Sequence, residues 1–318
     1  MLEVRPFLRS DRDGLVSLVN RHISAVLPGG AVPVASLLTQ LERDTHEPIV
    51  DPWVVDRHTL VAVNHDRIVA AAHLKRYGSD ERVSASYRNL GEIDWLVFDP
   101  REHDAGKAVI DAAIGRLGSW GVREWGADGN LPCLGVYGVP DAWPHVQQLL
   151  WEAGFDDNDE GQIEIVYAGE LASIDPPASA PVEGLGVLRV VRSLGTSFEA
   201  VLGGEVVGAF EVEDTYGATN ASLARWADVG NHWVDPVHRG RGIGTWLFRH
   251  GCEWLRLGGK DRLLAYAVER RGGTAIPTEG AAEAWTRYYA RLGLQPITRT
   301  RRGWHRSPVA GPSEGSRP

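Results

Sequence analysis

Residues 234–245 read "VDPVHRGRGIGT", which places three glycines within five positions, with an arginine on each side of the first. The residues before this stretch, 224–234, predict a β-strand, and the apolar spacing after it predicts an amphipathic helix that ends at Gly258-Gly259. A helix N-terminus presents unpaired N–H groups to an anion, and glycines let that anion approach the backbone closely. The stretch therefore predicts an anion site, assisted by Arg239 and Arg241, in preference to a flexible surface turn.

Two familiar phosphate-binding loops fit the stretch poorly. A P-loop requires a Lys followed by Ser or Thr, and no Lys occurs in the loop. A dinucleotide-binding fingerprint requires G-x-G-x-x-G/A, whereas Gly240, Gly242 and Gly244 are spaced G-x-G-x-G. A dinucleotide-binding fold also needs βα units that continue after the loop. Only one further strand and one further helix follow here, so the dinucleotide fingerprint remains the weaker alternative.

Composition limits the class of protein. The chain has 318 residues, 43% of them apolar and 24% charged, which predicts a soluble globular protein of about two domains. Its net charge of −9 argues against a general nucleic-acid binder. Cys133 and Cys252 lack metal-ligand spacing and fit a reducing cytoplasm. No signal peptide or membrane-spanning run is present, so we expect a cytoplasmic protein without metal, nucleic acid or membrane.

The loop and a later helix together resemble one superfamily. Val234, Pro236 and the residues from Arg239 to Gly244 follow a V-x-P-x-x-R-G-x-G-I-G pattern, which resembles the acetyl-CoA loop of the GNAT acyltransferases, Q/R-x-x-G-x-G/A. Tyr289 stands four residues before Gly293, as in that family's last conserved motif. The resemblance covers about residues 186–300. It implies acetyl-CoA as the co-substrate, bound by Val234, Arg239, Gly240, Arg241, Gly242, Ile243, Gly244 and Thr245.

The first part of the chain repeats the pattern in degenerate form. Residues 91–121 align without a gap with the strand, loop and helix of the second copy, but His103 stands at the arginine position and Leu150 at the tyrosine position. The resemblance therefore implies an α/β (α+β) fold of two GNAT-like domains, each a mixed, mostly antiparallel central sheet flanked by helices. The predicted ranges are 1–172 for the degenerate copy, 173–184 for a linker, 185–306 for the acetyl-CoA-binding catalytic domain and 307–318 for a disordered tail.

The resemblance also implies a reaction, in which an amine attacks the thioester directly. Tyr289 is the predicted acid for the leaving thiolate, with Tyr288 as the alternative. Asp228 is the predicted base, with His232, Glu211 and Glu213 as competitors. A backbone N–H near Val234 is the predicted donor to the oxyanion. The family often has an Asn seven residues before the tyrosine, where this chain has Ala282.

Further expectations concern the partners and a second class of function. The acceptor is a small amine-bearing molecule of unknown identity, and an oligomer is possible. The second copy lacks the helices that commonly shape the acceptor pocket in this family, so the first copy is expected to help form that pocket. A non-catalytic acyl-CoA-binding regulator is the alternative function.

Overall fold

The computed structural model describes residues 1–43, 50–133, 135–157, 162–192, 195–213, 220–270 and 281–307. Apart from Ser307, the predicted disordered tail lies outside the described residues. No helix in these ranges is both long and apolar enough to cross a membrane.

In the described residues, the first half of the chain contains four α-helices and seven strands. In chain order these are β1 (Leu2–Pro6), α1 (Arg12–Val26), α2 (Val34–Glu42), β2 (Val54–Asn64), β3 (Arg67–Tyr77), β4 (Leu90–Phe98), α3 (His103–Ser119), β5 (Glu124–Ala127), β6 (Val139–Pro140), α4 (Pro144–Glu152) and β7 (Gln162–Glu170). Strands β2 and β3 form a hairpin, whose turn residues His65 and Asp66 have φ values of 48° and 61°.

The elements of the second half follow in chain order. They are β8 (Gly186–Val191), β9 (Gly195–Leu202), β10 (Glu205–Glu213), β11 (Trp226–Val234), α5 (Ile243–Leu257), β12 (Arg262–Arg270), α6 (Ala281–Arg291), β13 (Gln295–Arg302) and β14 (Trp304–Arg306). Strand β8 ends at Val191 and β9 begins at Gly195, and the three positions between them are too few for an α-helix. The turn between β9 and β10 is Gly203-Gly204, with φ values of 62° and 89°.

Two mixed, mostly antiparallel sheets form the frame of the protein, and this confirms the predicted fold class. The first sheet has the order β1-β2-β3-β4-β5-β14, and the second has the order β6-β13-β7-β12-β11-β10-β9-β8. The only parallel neighbours among the described strand pairs are β4 with β5 and β11 with β12. These equivalent parallel pairs mark the repeated unit of the chain.

The two halves exchange strands. Strand β7 lies in the range predicted for the first domain, yet it pairs with β12 and β13 inside the second sheet. Strand β14, near the end of the described chain, pairs with β5 of the first sheet. The backbone hydrogen bonds therefore cross the predicted boundary in both directions, and each sheet is completed by the other half of the chain.

The segment predicted to be a linker packs against the second half. Trp246 of α5 donates a hydrogen bond from Nε1 to the Ala178 carbonyl oxygen over 3.1 Å. Asp175 forms an ion pair with Arg249 of α5 at 2.8 Å. The segment therefore packs across the first turns of α5, adjacent to the glycine-rich loop.

Candidate active site

The parallel pair β11–β12 opens partway along its length. The two strands pair only from Trp226 to Asp228 on β11 and from Arg262 to Leu264 on β12. A β-bulge then shifts the register between β10 and β11, because Val212 faces Val229 while Glu211 faces Asn231. Bulges of this kind bend a strand and redirect its side chains. Beyond Asp228 the strands separate and leave a cleft.

A cavity of about 850 Å³ lies beside the outer end of β11. Its volume falls within the range of small-molecule and cofactor sites. The end of β11, the glycine-rich loop, the start of α5 and one face of α6 form its wall, contributed by His232, Trp233, Val234, His238, Arg239, Gly240, Gly242, Ile243, Gly244, Thr245, Arg249, Ala284, Trp285, Tyr288, Arg291 and Leu292.

The loop geometry suits an anion. Gly240 and Gly242 have φ values of 74° and 83°, and Gly242 is the N-cap of α5. Residues with a Cβ rarely adopt this conformation, which explains why glycine is needed at both positions. The N–H groups of the first turn of α5 have no partner within the helix and lie at the wall of the cavity. This arrangement presents the positive end of a 15-residue helix to any bound ligand.

The predicted cofactor-binding residues converge on this cavity, with one exception. Seven of the eight line it, and the exception is Arg241, which is exposed and lies 3.2 Å from His238 Nδ1. Arg239 lines the cavity while its Nε donates to the Val234 carbonyl oxygen over 2.9 Å. Two further cationic residues line the cavity, Arg249 and Arg291, and neither was predicted from the sequence. Arg249 lies two turns into α5, so the helical period could have indicated it.

The two adjacent tyrosines of α6 occupy different environments. Tyr288 lines the cavity, and no described residue accepts or donates a well-formed hydrogen bond at its hydroxyl. Burial raises the pKa of Tyr288, and the Thr245 side chain acts in the opposite direction. Tyr289 is only 2% exposed and is not a cavity-lining residue. Its ring lies 4.9 Å from the ring of Tyr167 and 5.4 Å from that of Trp285, and burial also raises its pKa.

Asp228 lies at the point where the strands separate. It is 4% exposed, its Oδ2 is 3.4 Å from the Tyr266 hydroxyl, and its Oδ1 has no partner among the described residues. Burial raises the pKa of Asp228 to about 8, and the nearby Glu213 adds to the increase. A carboxyl group with this pKa can exchange a proton near neutral pH. Asp228 does not line the 850 Å³ cavity, so the predicted base and the predicted cofactor residues occupy separate parts of the cleft.

His232 joins β11 to the start of α5. Its Nε2 lies 3.2 Å from the Gly244 carbonyl oxygen, and its ring packs 5.1 Å from that of Phe210. Burial lowers the pKa of His232 to about 4. The imidazole is therefore neutral near pH 7, with its Nε2 proton directed at Gly244. This geometry favours a structural histidine over a base.

The first half fills the corresponding space with side chains. Phe98 stands 136 positions before Val234, the same offset as Gly106 from Gly242. The Phe98 ring packs 4.7 Å from His145 of α4, and a Cβ placed on Gly106 would lie 2.9 Å from that ring. His103, at the position of Arg239, pairs with Glu152 at 3.3 Å. The equivalent loop therefore packs against an aromatic side chain.

The comparisons with known proteins agree with this geometry. Residues 167–277 match the family model of the acetyltransferase (GNAT) family. A tandem GNAT protein from the clavulanic acid biosynthesis pathway superposes with a TM-score of 0.65 at 17% identity, covering 99% of this chain and 100% of that one. A GCN5-related N-acetyltransferase from Sphaerobacter thermophilus gives a TM-score of 0.62 at 14% identity, covering 96% and 95%. No curated protein matches the sequence.

Residues 167–277 are therefore a GNAT domain, which confirms the predicted resemblance. The complete chain has the fold of the tandem GNAT proteins. The matched span begins inside β7, the strand that the first half contributes to the second sheet. The described residues include no group of three or more His, Cys, Asp or Glu side chains that could hold a metal ion.

Proposed function

We propose that this protein is an N-acyltransferase that transfers the acetyl group of acetyl-CoA directly to an amine. The observation that supports this most strongly is the 850 Å³ cavity formed by the glycine-rich loop, the N-terminus of α5 and one face of α6. It combines an anion-binding end with an aromatic wall, and it lies beside a cleft that contains a carboxyl group of raised pKa.

Acetyl-CoA binds with its pyrophosphate against the first turn of α5. The N–H groups from Gly242 to Thr245 donate to the phosphate oxygens, and Arg239 adds a charge-assisted donor. Arg249 and Arg291 place further positive charge at the cavity wall. Arg241 is exposed, so its proposed contact is with the part of acetyl-CoA that lies at the protein surface.

The acceptor amine reacts as a neutral nucleophile. Asp228 is the proposed base that takes a proton from the ammonium form of the acceptor, which frees the nitrogen lone pair to attack the thioester carbon. The nitrogen loses its second proton to solvent as the amide forms. The carbonyl oxygen becomes an oxyanion, for which the Val234 N–H is the proposed donor. The tetrahedral intermediate then collapses as the C–S bond breaks and the C–N bond remains.

The leaving thiolate takes a proton from a tyrosine of α6. Tyr289 is the proposed donor because it occupies the position of the family's tyrosine, and it stacks on Trp285 of the cavity wall. Tyr288 is the competing donor, because it reaches the cavity itself and its hydroxyl lacks a partner in the described chain. A thiol with an ordinary pKa of about 8.5 leaves readily, so the acid needs only modest strength.

The acceptor approaches Asp228 from the side of the first half. Tyr266, whose hydroxyl is near Asp228, packs against Tyr137 of the first half with ring centroids 5.8 Å apart. Leu264, on the same face of β12, belongs to the hydrophobic core of the first half. These contacts support the hypothesis that the first half forms one wall of the acceptor site.

One observation favours the alternative function, a non-catalytic acyl-CoA-binding regulator. Tyr289 is almost completely buried, as expected for a packing residue. The two functions differ in a direct test, in which the full chain, acetyl-CoA and a panel of primary and secondary amines are mixed and released CoA is detected by a thiol reagent. An acyltransferase releases CoA with at least one amine. A regulator binds acetyl-CoA in calorimetry and releases none.

A further inference from the structure

Two glutamates of β10 lie on the face of the second sheet that is turned away from α5. Phe210 and Val212 belong to the hydrophobic core that includes the buried residues of α5. Side chains alternate between the two faces of a strand, so Glu211 and Glu213 project together from the opposite face. Both glutamates are partly exposed, so a ligand can reach them.

Asp228 lies on the same face as the two glutamates. In the register of β10 with β11, Glu213 stands opposite Asp228 and Glu211 stands opposite Asn231. Opposed residues of an antiparallel pair have Cβ atoms about 5 Å apart. Glu211 is two residues along β10 from Glu213, which corresponds to about 7 Å. Asp228, Glu213 and Glu211 therefore form an acidic row that begins where β11 and β12 separate.

The acidic row lacks a cation among the residues that the structure describes. Neither Glu211 nor Glu213 forms an ion pair or a side-chain hydrogen bond there, and burial and the charge of Glu211 raise the pKa of Glu213. Glu199, farther along the same face, is already paired with Arg192, so that pair adds no net charge. Like charges directly opposite each other destabilise a sheet, so the row favours a ligand that brings positive charge.

The buried end of the acidic row also lacks a hydrogen-bond partner. Asp228 is 4% exposed, and its Oδ1 has no partner in the described part of the chain. Buried polar atoms are nearly always hydrogen-bonded, so this oxygen indicates a place for an N–H donor from a ligand. A Cβ placed on Gly230 would lie 2.7 Å from Glu213 Oε1, so the Glu213 carboxylate lies over the bulge of β11, beside the opening of the cleft.

We infer that this cleft binds an amine that carries a second cationic group, which in the simplest case is a linear diamine. One nitrogen lies at Asp228 and the other contacts Glu211, with Glu213 between them. The inference rests on the proposed function, because it names the class of acceptor for the same site. It makes Glu211 and Glu213 the residues that determine specificity, since a monoamine would leave part of the acidic row without a counter-charge.

The test is calorimetry on the full chain saturated with CoA at about pH 7, where both nitrogens of 1,5-diaminopentane are cationic. The diamine should bind about tenfold or more tightly than 1-aminopentane, because its second ammonium group makes charge-assisted hydrogen bonds. Glu211→Gln and Glu213→Gln should each remove most of this preference. Glu205→Gln is the matched control, because Glu205 is an exposed carboxylate at the other end of β10.

Release of CoA from acetyl-CoA is measured separately with the same two amines. Glutamate-dependent binding of the diamine without CoA release would support this inference and contradict the proposed function. CoA release with equal kcat/KM for both amines would support the proposed function and overturn the inference. The inference is also overturned if 1-aminopentane binds as tightly as the diamine, or if the glutamine variants at positions 211 and 213, with the parent's melting temperature, keep the parent's preference.

Discussion

His232 Nε2 lies 3.2 Å from the carbonyl oxygen of Gly244, so β11 is tied directly to the first turn of α5. This contact holds the glycine-rich loop between two fixed ends. Because the imidazole is neutral near pH 7, the tie is a neutral hydrogen bond and adds no charge to the anion site. The loop is therefore positioned by the strand before it and by the helix after it, and this relationship underlies the first prediction.

Gly242→Val should abolish most CoA binding. The φ of 83° at Gly242 is strained for any residue with a Cβ, at a cost of about 1–3 kcal/mol, so the loop should leave the conformation that presents its N–H groups. Gly259→Val is the matched control, since Gly259 has a φ of 79° at the other end of the same helix and open space around it. Calorimetry with CoA should show a large loss for Gly242→Val alone. Equal affinities would rule out the loop as the pyrophosphate site.

The tyrosine pair can be separated by single-atom changes. Tyr289→Phe should lower kcat by about tenfold to a thousandfold with little change in CoA affinity, as expected when a general acid is lost. Tyr288→Phe is the matched control, because it removes the hydroxyl that lines the cavity. If Tyr288→Phe lowers kcat and Tyr289→Phe does not, Tyr288 is the acid and Tyr289 packs the core.

The activity should depend on the protonation of Asp228. Its pKa is raised to about 8, so kcat/KM should rise about tenfold for each pH unit below that value and level off above it, because the base acts when ionised. Asp228→Asn should remove this dependence along with most of the activity. A pH–rate profile with an unchanged acidic limb in Asp228→Asn would assign the base to another group.

The direction of the pKa shift in Glu213→Gln also tests whether Asp228 is the base. The negative charge of Glu213 helps to raise the pKa of Asp228, so its removal should lower that pKa. The acidic limb of kcat/KM should consequently move to lower pH, while Glu211→Gln should leave it in place if Asp228 is the base. A limb that does not move in Glu213→Gln would argue against Asp228.

Neither half should fold well alone. A fragment of residues 183–306 lacks β7, which pairs on both sides within the second sheet, so β12 and β13 would lose their shared neighbour. We expect this fragment to aggregate or to lack a cooperative thermal transition. A fragment of residues 162–306 keeps β7 and should fold better. Circular dichroism and gel filtration compare the two, and a well-folded 183–306 fragment would contradict the strand exchange.

Short-range sequence patterns are enough to predict the local elements and the loop. The glycines, the alternating strand residues and the helical apolar spacing act over short distances, so the hairpin at Gly203-Gly204 and helix α5 were both predictable. The repeat of the strand–loop–helix pattern also predicted two copies of one fold. These features need no knowledge of distant contacts.

The pairing of the strands and the contacts between distant side chains depend on the packing of the whole chain. Strand β7 joins the second sheet through hydrogen bonds to residues about a hundred positions away, and nothing in its local pattern specifies that partner. Adjacent residues on a helix point about 100° apart, so the packing of α6, not its sequence, placed Tyr288 at the cavity and Tyr289 in the core. Strand β14 likewise pairs with β5 in the first sheet, and long-range pairing of this kind depends on the packing of the whole chain.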